Sequence, residues 1–264
     1  MLRRWFWLVL LLAQSAMAHD FRSIVSDGVN LAYTDYGSGA PVIFLHGFSA
    51  DFDIDLGATG DVLSKEFRVI GIDQRGHGRS EKPHDVAAYG KHFSADVLNL
   101  MDALHIERAN VVGHSMGGIV AMDLAANHPE RIQSAVTIGN GLFKHWELTL
   151  IDWLMHGMFL WTDVKAFFGV THASPLKNDD DALMAAVSSL GELTVSEPQA
   201  AAMKVPVLAA RGGPKDDPHD TVERLVAVNP RVEMLRIESE DHMSMVSNDA
   251  FRKALRDFLS RHNS

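Results

Sequence analysis

The chain contains no cysteine, so neither disulfides nor thiolate chemistry can enter its function. Small secreted scaffolds that rely on disulfide staples are excluded, and the core must be held by apolar burial. Basic residues are in deficit as well. Lys and Arg number 24 against 34 Asp and Glu, a formal net charge of −10. Such a surface repels nucleic acid and anionic membranes, and neither is expected as a partner. The H-E-x-x-H spacing of metal hydrolases is missing, and the Gly-rich turns lack the downstream signature of a dinucleotide site. No metal and no cofactor is therefore expected.

What is present begins with a leader. Arg3 and Arg4 precede an apolar run from Trp5 to Ala13, and Ala16-Met17-Ala18 is a small-x-small cleavage site. That order predicts a secretory signal peptide over residues 1–18, cut after Ala18, and hence a secreted or periplasmic protein. The apolar run is shorter than the roughly 20 residues a membrane-spanning helix needs. No stable membrane anchor is expected after cleavage. About 246 residues would remain, enough for one large domain with a full core.

Along those residues, apolar runs alternate with helical patterns. Phe21 to Gly39 reads as paired strands turning at Ser26-Asp27-Gly28, since Asp-Gly is a strong hairpin signal. Pro41 to Leu45 is continuously apolar, as a central strand buried on both faces should be. Further strands are predicted over 69–72, 110–113, 135–138, 205–210 and 232–237. Phe93, Val97, Leu100 and Leu104 share one helical face, as do Phe251, Leu255, Phe258 and Leu259. Strands alternating with helices imply an α/β fold: a doubly wound, mostly parallel sheet with helices on both faces.

Residues 142–200 break the alternation. They show no clear strand, carry many aromatics (Trp146, Trp153, Phe159, Trp161, Phe167 and Phe168 among them) and contain the run Asp179-Asp180-Asp181. A stretch this long is far beyond an ordinary connecting loop, so an inserted helical cap is expected. The core domain would then comprise residues 19–141 and 201–264. Most of the aromatics should pack the insert onto the core, with a few left to line a substrate pocket. The acidic run reads as a solvated loop or helix start.

The chemistry centres on Gly113-His114-Ser115-Met116-Gly117. In this G-x-S-x-G pattern a serine sits on a sharp, strained strand-to-helix turn, and its flanking glycines leave room for that turn. A serine needs a base, and the base an orienting acid, in the chain order Ser, Asp or Glu, His. His242 is the base candidate, on the loop between the 232–237 strand and the last helix. The acid should follow the 205–210 strand, where Gly213-x-x-Asp216 offers Asp216 and the adjacent Asp217 is the alternative. One of the two should face His242 and the other solvent. The oxyanion would be met by the backbone N–H groups of Met116, after the nucleophile, and Phe48, in the loop His46-Gly47-Phe48. A structural role is expected for His46 in that turn.

Together these segments, with Asp73-Gln74-Arg75-Gly76-His77-Gly78-Arg79-Ser80, resemble the α/β-hydrolase fold family over nearly the whole chain after the leader. The resemblance implies an eight-stranded, mostly parallel sheet with a helical cap over the nucleophile. It gives the Asp73–Ser80 block a packing and loop-shaping role. Relatives that open epoxides or remove halogens carry Asp at the elbow, and Ser115 stands against those activities here. The expected reaction is hydrolysis of a carbonyl substrate through an acyl-enzyme, with a small to medium hydrophobic ester or lactone foremost. A C–C bond hydrolase or cofactor-free haloperoxidase-like enzyme could use the same triad. A non-catalytic binding protein on this fold would be free to lose Ser115, His242 or the acid, and all are present.

Overall fold

A computed structural model of the protein describes residues 19–148, 178–214, 216–217 and 219–263. The proposed leader and most of the aromatic insert, including Trp153, Phe159, Trp161, Phe167 and Phe168, lie outside the described residues.

Eight strands form one sheet: β1 (Phe21–Ser26), β2 (Val29–Gly37), β3 (Pro41–Leu45), β4 (Arg68–Asp73), β5 (Ala109–His114), β6 (Ile132–Ile138), β7 (Val207–Arg211) and β8 (Glu233–Arg236). Their order is β1-β2-β4-β3-β5-β6-β7-β8. β2 pairs antiparallel with β1 and β4, and every pairing from β4 onward is parallel. The β1–β2 hairpin turns at Asp27 and Gly28, both at positive φ (47° and 80°). That is the backbone a tight two-residue hairpin requires and the reason Asp-Gly serves there.

The helices among the described residues are α1 (Ala58–Leu63), α2 (His92–Ala103), α3 (Met116–Asn127), α4 (Asp180–Ser189), α5 (Glu197–Ala202), α6 (Thr221–Val228) and α7 (Asp249–Arg261). Alternate residues of each central strand feed opposite cores. Ile43, Leu45, Ile70, Val111 and Ala135 pack with Phe93, Val97 and Leu100 of α2 and Val120 and Leu124 of α3. Val42, Phe44, Val69, Val112 and Val136 pack with Phe251, Leu255 and Phe258 of α7. Burial on both faces explains why these strands read as unbroken apolar runs instead of alternating ones.

The described part of 142–200 is helical and contains no strand. Asp179 caps α4, accepting the Ala182 N–H at 3.1 Å, so the acidic run is a helix start. α5 opens on a reciprocal capping box between Ser196 and Gln199, which satisfies two otherwise unpaired backbone donors. Parallel strands all end at one sheet edge, and β3, β5, β7 and β8 deliver the His46-Gly47-Phe48 loop, Ser115, Asp216 and His242 to that edge.

Candidate active site

Ser115 occupies the turn between β5 and α3 with φ 49° and ψ −114°. This is a costly conformation for a residue with a side chain. The chain tolerates it because its surroundings fix it: the Ser115 N–H donates to the Ile138 carbonyl at 2.9 Å, and the Asn140 amide donates to the Ser115 carbonyl. A Cβ on Gly113 would collide with the Gly117 carbonyl, and one on Gly117 with the Leu45 carbonyl. The two glycines of the motif are therefore required by close backbone approach.

His242 and Asp216 meet from separate loops. His242 Nδ1 lies 2.7 Å from Asp216 Oδ1, so Nδ1–H donates and Nε2 is the nitrogen left to take a proton. Asp216 Oδ2 accepts the Gly212 N–H. Burial alone would raise the Asp216 pKa, but the His242 bond, the Gly212 N–H and the charges of His242 and His114 outweigh it and hold the carboxyl below its ordinary range. Gly139, at φ 76°, lies against this pair; a Cβ there would stand 2.5 Å from His242 Cε1.

Asp217 corrects one expectation. It is buried and does not face solvent. Its carboxylate accepts the Thr221 hydroxyl at 3.0 Å and the Val222 N–H at 2.8 Å, tying down the start of α6. The two adjacent carboxylates do point in different directions, one to the histidine and one to a helix terminus. His46 takes the structural role expected of it. Its Nε2 accepts the Gln74 N–H at 2.9 Å, and its Nδ1 donates to the Gly47 carbonyl at 2.7 Å. The Asp73–Ser80 block likewise shapes loops: Asp73 accepts from the Phe52 and Arg79 N–H groups, and buried Arg75 pairs with Asp96.

Ser115, Met116, Phe48, Asp216 and His242 all line one cavity of about 280 Å³. Among the described residues its remaining lining is mainly apolar, from Ile119, Phe143, Leu148, Val187 and Leu190, with Asn140, Asp217 and His219 as polar members. Phe143, Leu148, Val187 and Leu190 all belong to the 142–200 segment, which thus contributes to the lining around the serine. Met116 is the first residue of α3, where backbone N–H groups have no acceptor within the helix. Trp146 is 55% exposed and is not among the lining residues.

The family model of the alpha/beta hydrolase fold matches residues 40–180, more than half of the chain. The protein belongs to the α/β-hydrolase fold family. This hydrolase-fold chain is 41% identical over 119 residues to a non-heme chloroperoxidase of Streptomyces lividans, a match covering 43% of this chain and 42% of that one. It is 36% identical over 122 residues to a 2-hydroxymuconate semialdehyde hydrolase of Pseudomonas sp. strain CF600, covering 45% and 43%. The chain therefore spans well under half the length of the curated relatives it matches. Among solved structures, the enol-lactonase of Burkholderia xenovorans LB400 superposes with a TM-score of 0.72 at 25% identity, covering 90% of this chain and all of that one.

Several residues around the site went unread in the sequence. Asn140 and Gly139 follow β6 with no motif to mark them. Asp55 and His114 form a buried ion pair at 2.9 Å across 59 positions, and no spacing rule links residues so far apart.

Proposed function

We propose that this α/β-hydrolase is a serine hydrolase acting on a carbonyl substrate, a small to medium hydrophobic carboxylic ester or lactone, through an acyl-enzyme. One observation carries the reading: the 2.7 Å His242–Asp216 bond borders the same cavity as a serine at a strained elbow. In this reading Ser115 Oγ attacks the carbonyl carbon as its proton passes to His242 Nε2. Asp216 holds the imidazole in the required tautomer and stabilises its charged form. The N–H groups of Phe48 and Met116 receive the oxyanion. His242 then returns the proton to the leaving alcohol, and water repeats the sequence to release the acid.

The apolar walls favour an uncharged acyl group, and the enol-lactonase likeness is in keeping with a lactone or ester. The leader expected over residues 1–18 is in keeping with export from the cytoplasm. Labelling by a fluorophosphonate probe, which needs an activated serine, tests the reading most directly. The wild-type protein should label and Ser115→Ala should not; an unlabelled wild type would favour a binding protein. Labelling without turnover of a nitrophenyl ester panel would instead favour a C–C substrate of the kind the semialdehyde hydrolase relative suggests.

A further inference from the structure

His114 is the last residue of β5, next to Ser115, and is fully buried. Its Nδ1 lies 2.9 Å from both carboxylate oxygens of Asp55. Its Nε2 lies 2.9 Å from the carbonyl oxygen of His242. The His242 carbonyl can only accept, and so can Asp55 as a carboxylate; against an ionised Asp55 both ring nitrogens donate, and a ring that donates twice is an imidazolium. Asp55 has a second task. Its Oδ2 accepts the Gly47 N–H at 2.7 Å, from the loop that carries Phe48. Asp55 itself sits in a π-helical turn, Asp53–Gly57, a rare geometry that recurs at functional sites.

We propose that Asp55 and His114 are a positioning pair, a buried carboxylate–imidazolium unit that locks the oxyanion loop, the nucleophile turn and the base loop to one another. The proposal rests on the roles given above to Ser115, His242 and Phe48. Each of the three segments meets the pair through one hydrogen bond or one peptide link: Gly47 through Asp55, Ser115 through the chain, His242 through its carbonyl. Neither Asp55 nor His114 lines the 280 Å³ cavity; both border a void of about 30 Å³, too small for an acyl group, that adjoins it at Phe48, Ser115 and His242, so the pair should act mainly on the chemical step.

The groups facing the pair are His46 on the Asp55 side and Asp216 and His242 on the His114 side. Burial lowers the His114 pKa, but the charge and hydrogen bond of Asp55 outweigh burial and leave it raised. Burial raises the Asp55 pKa, yet His114 and the Gly47 N–H bring it below its ordinary value. Both directions favour the charged pair.

The test combines ¹⁵N-histidine NMR of the purified wild-type protein with kinetics of Asp55→Asn, His114→Gln and the double variant. At neutral pH one buried ring should carry protons on both nitrogens, and that signal should vanish in His114→Gln. Each single variant should lose roughly 10²-fold in kcat, the scale of a small misplacement of reacting groups, with KM almost unchanged. The double variant should lose no more than the worse single one, because both remove the same unit. A neutral His114 in the wild-type spectrum overturns the proposal, whether or not the variants fold. So do losses that fall in KM, or losses that add in the double variant. Fluorophosphonate labelling of the wild type tests the serine-hydrolase reading separately, and the NMR result is read with no substrate present.

Discussion

Asp216 and Asp217 are neighbours in the chain with opposite duties: Asp216 Oδ1 meets His242 Nδ1 at 2.7 Å, while Asp217 Oδ2 meets the Val222 N–H at 2.8 Å. The first bond orients a titratable ring at the cavity, and the second fixes the beginning of α6. Substitution should separate them. Asp216→Asn should cost roughly three to four orders of magnitude in kcat by presenting the wrong histidine tautomer. Asp217→Asn should keep most of the activity but lose about 1 kcal/mol of stability at the helix start. Nitrophenyl ester kinetics and thermal melts of both variants check this; the reverse ranking would transfer the acid's role to Asp217.

Ser115→Ala removes one hydroxyl and leaves the turn, which is held by the Ile138 carbonyl and the Asn140 amide. The fold should persist with an unchanged melting temperature, and turnover should drop by roughly 10³-fold or more. Residual ester cleavage near the wild-type rate in the pure variant would sink the nucleophile assignment.

The buried charges around the site set a pH window for stability. Asp55 and Asp216 titrate below their ordinary values in the folded protein. Each therefore contributes stability that is complete above the unfolded carboxyl value of about 3.9 and is lost as pH falls through the lower folded value. His114 is raised. Its contribution is complete below about 6.5 and is lost as pH rises through the raised folded value. Melting temperature should peak between these limits and fall on both sides. In Asp55→Asn both limbs should flatten, since His114 loses its partner too; limbs that match the wild type would refute the assignment.

The leader proposed over residues 1–18 gives a further measurable outcome. Cleavage after Ala18 would make His19 the first residue of an exported protein. In the fold its ring is clasped by Asp53 at 2.6 Å and Asp61 at 2.9 Å. N-terminal sequencing of protein recovered from the periplasm or medium should begin His-Asp-Phe-Arg. An N-terminus that retains Met1 in that fraction would rule out cleavage.

The legible parts of this protein are those governed by local rules. Buried parallel strands betray themselves as apolar runs, and the elbow betrays itself because Gly113 and Gly117 must lack side chains where backbone meets backbone. The His242–Asp216 contact was legible because chain order and strand ends restrict where a histidine and a carboxylate can meet at this sheet edge. Strand limits were less sharp: β7 begins at Val207 and not at Val205, and β8 spans only Glu233–Arg236. Asp217 reads as solvent-facing because a loop carboxylate looks alike in sequence whether it faces water or, as here, holds the start of the next helix. Asp55 and His114 were invisible for another reason. Their contact is made by tertiary packing between a turn after β3 and the end of β5, and nothing in either segment announces the other.

Substrate size follows from the cavity walls. At about 280 Å³ the space lies just below the usual range of ligand pockets, which run from roughly 300 Å³ upward. In the proposed ester-hydrolase reading it would therefore suit a short acyl group better than a long chain. Phe143, Leu148, Val187 and Leu190 make the far walls apolar, so each added methylene that fits should contribute up to about 0.8 kcal/mol. Catalytic efficiency on nitrophenyl esters should rise from acetate to about butyrate or hexanoate and then fall as the chain meets the far walls. Val187→Phe, which narrows the cavity from the 142–200 segment and leaves the triad residues themselves unchanged, should move the optimum to shorter chains while acetate is cleaved at close to the wild-type rate. A flat series in the wild type, or a clear preference for a peptide amide, would show that these walls do not form the acyl pocket. An optimum unmoved by Val187→Phe would place the acyl chain along a different wall.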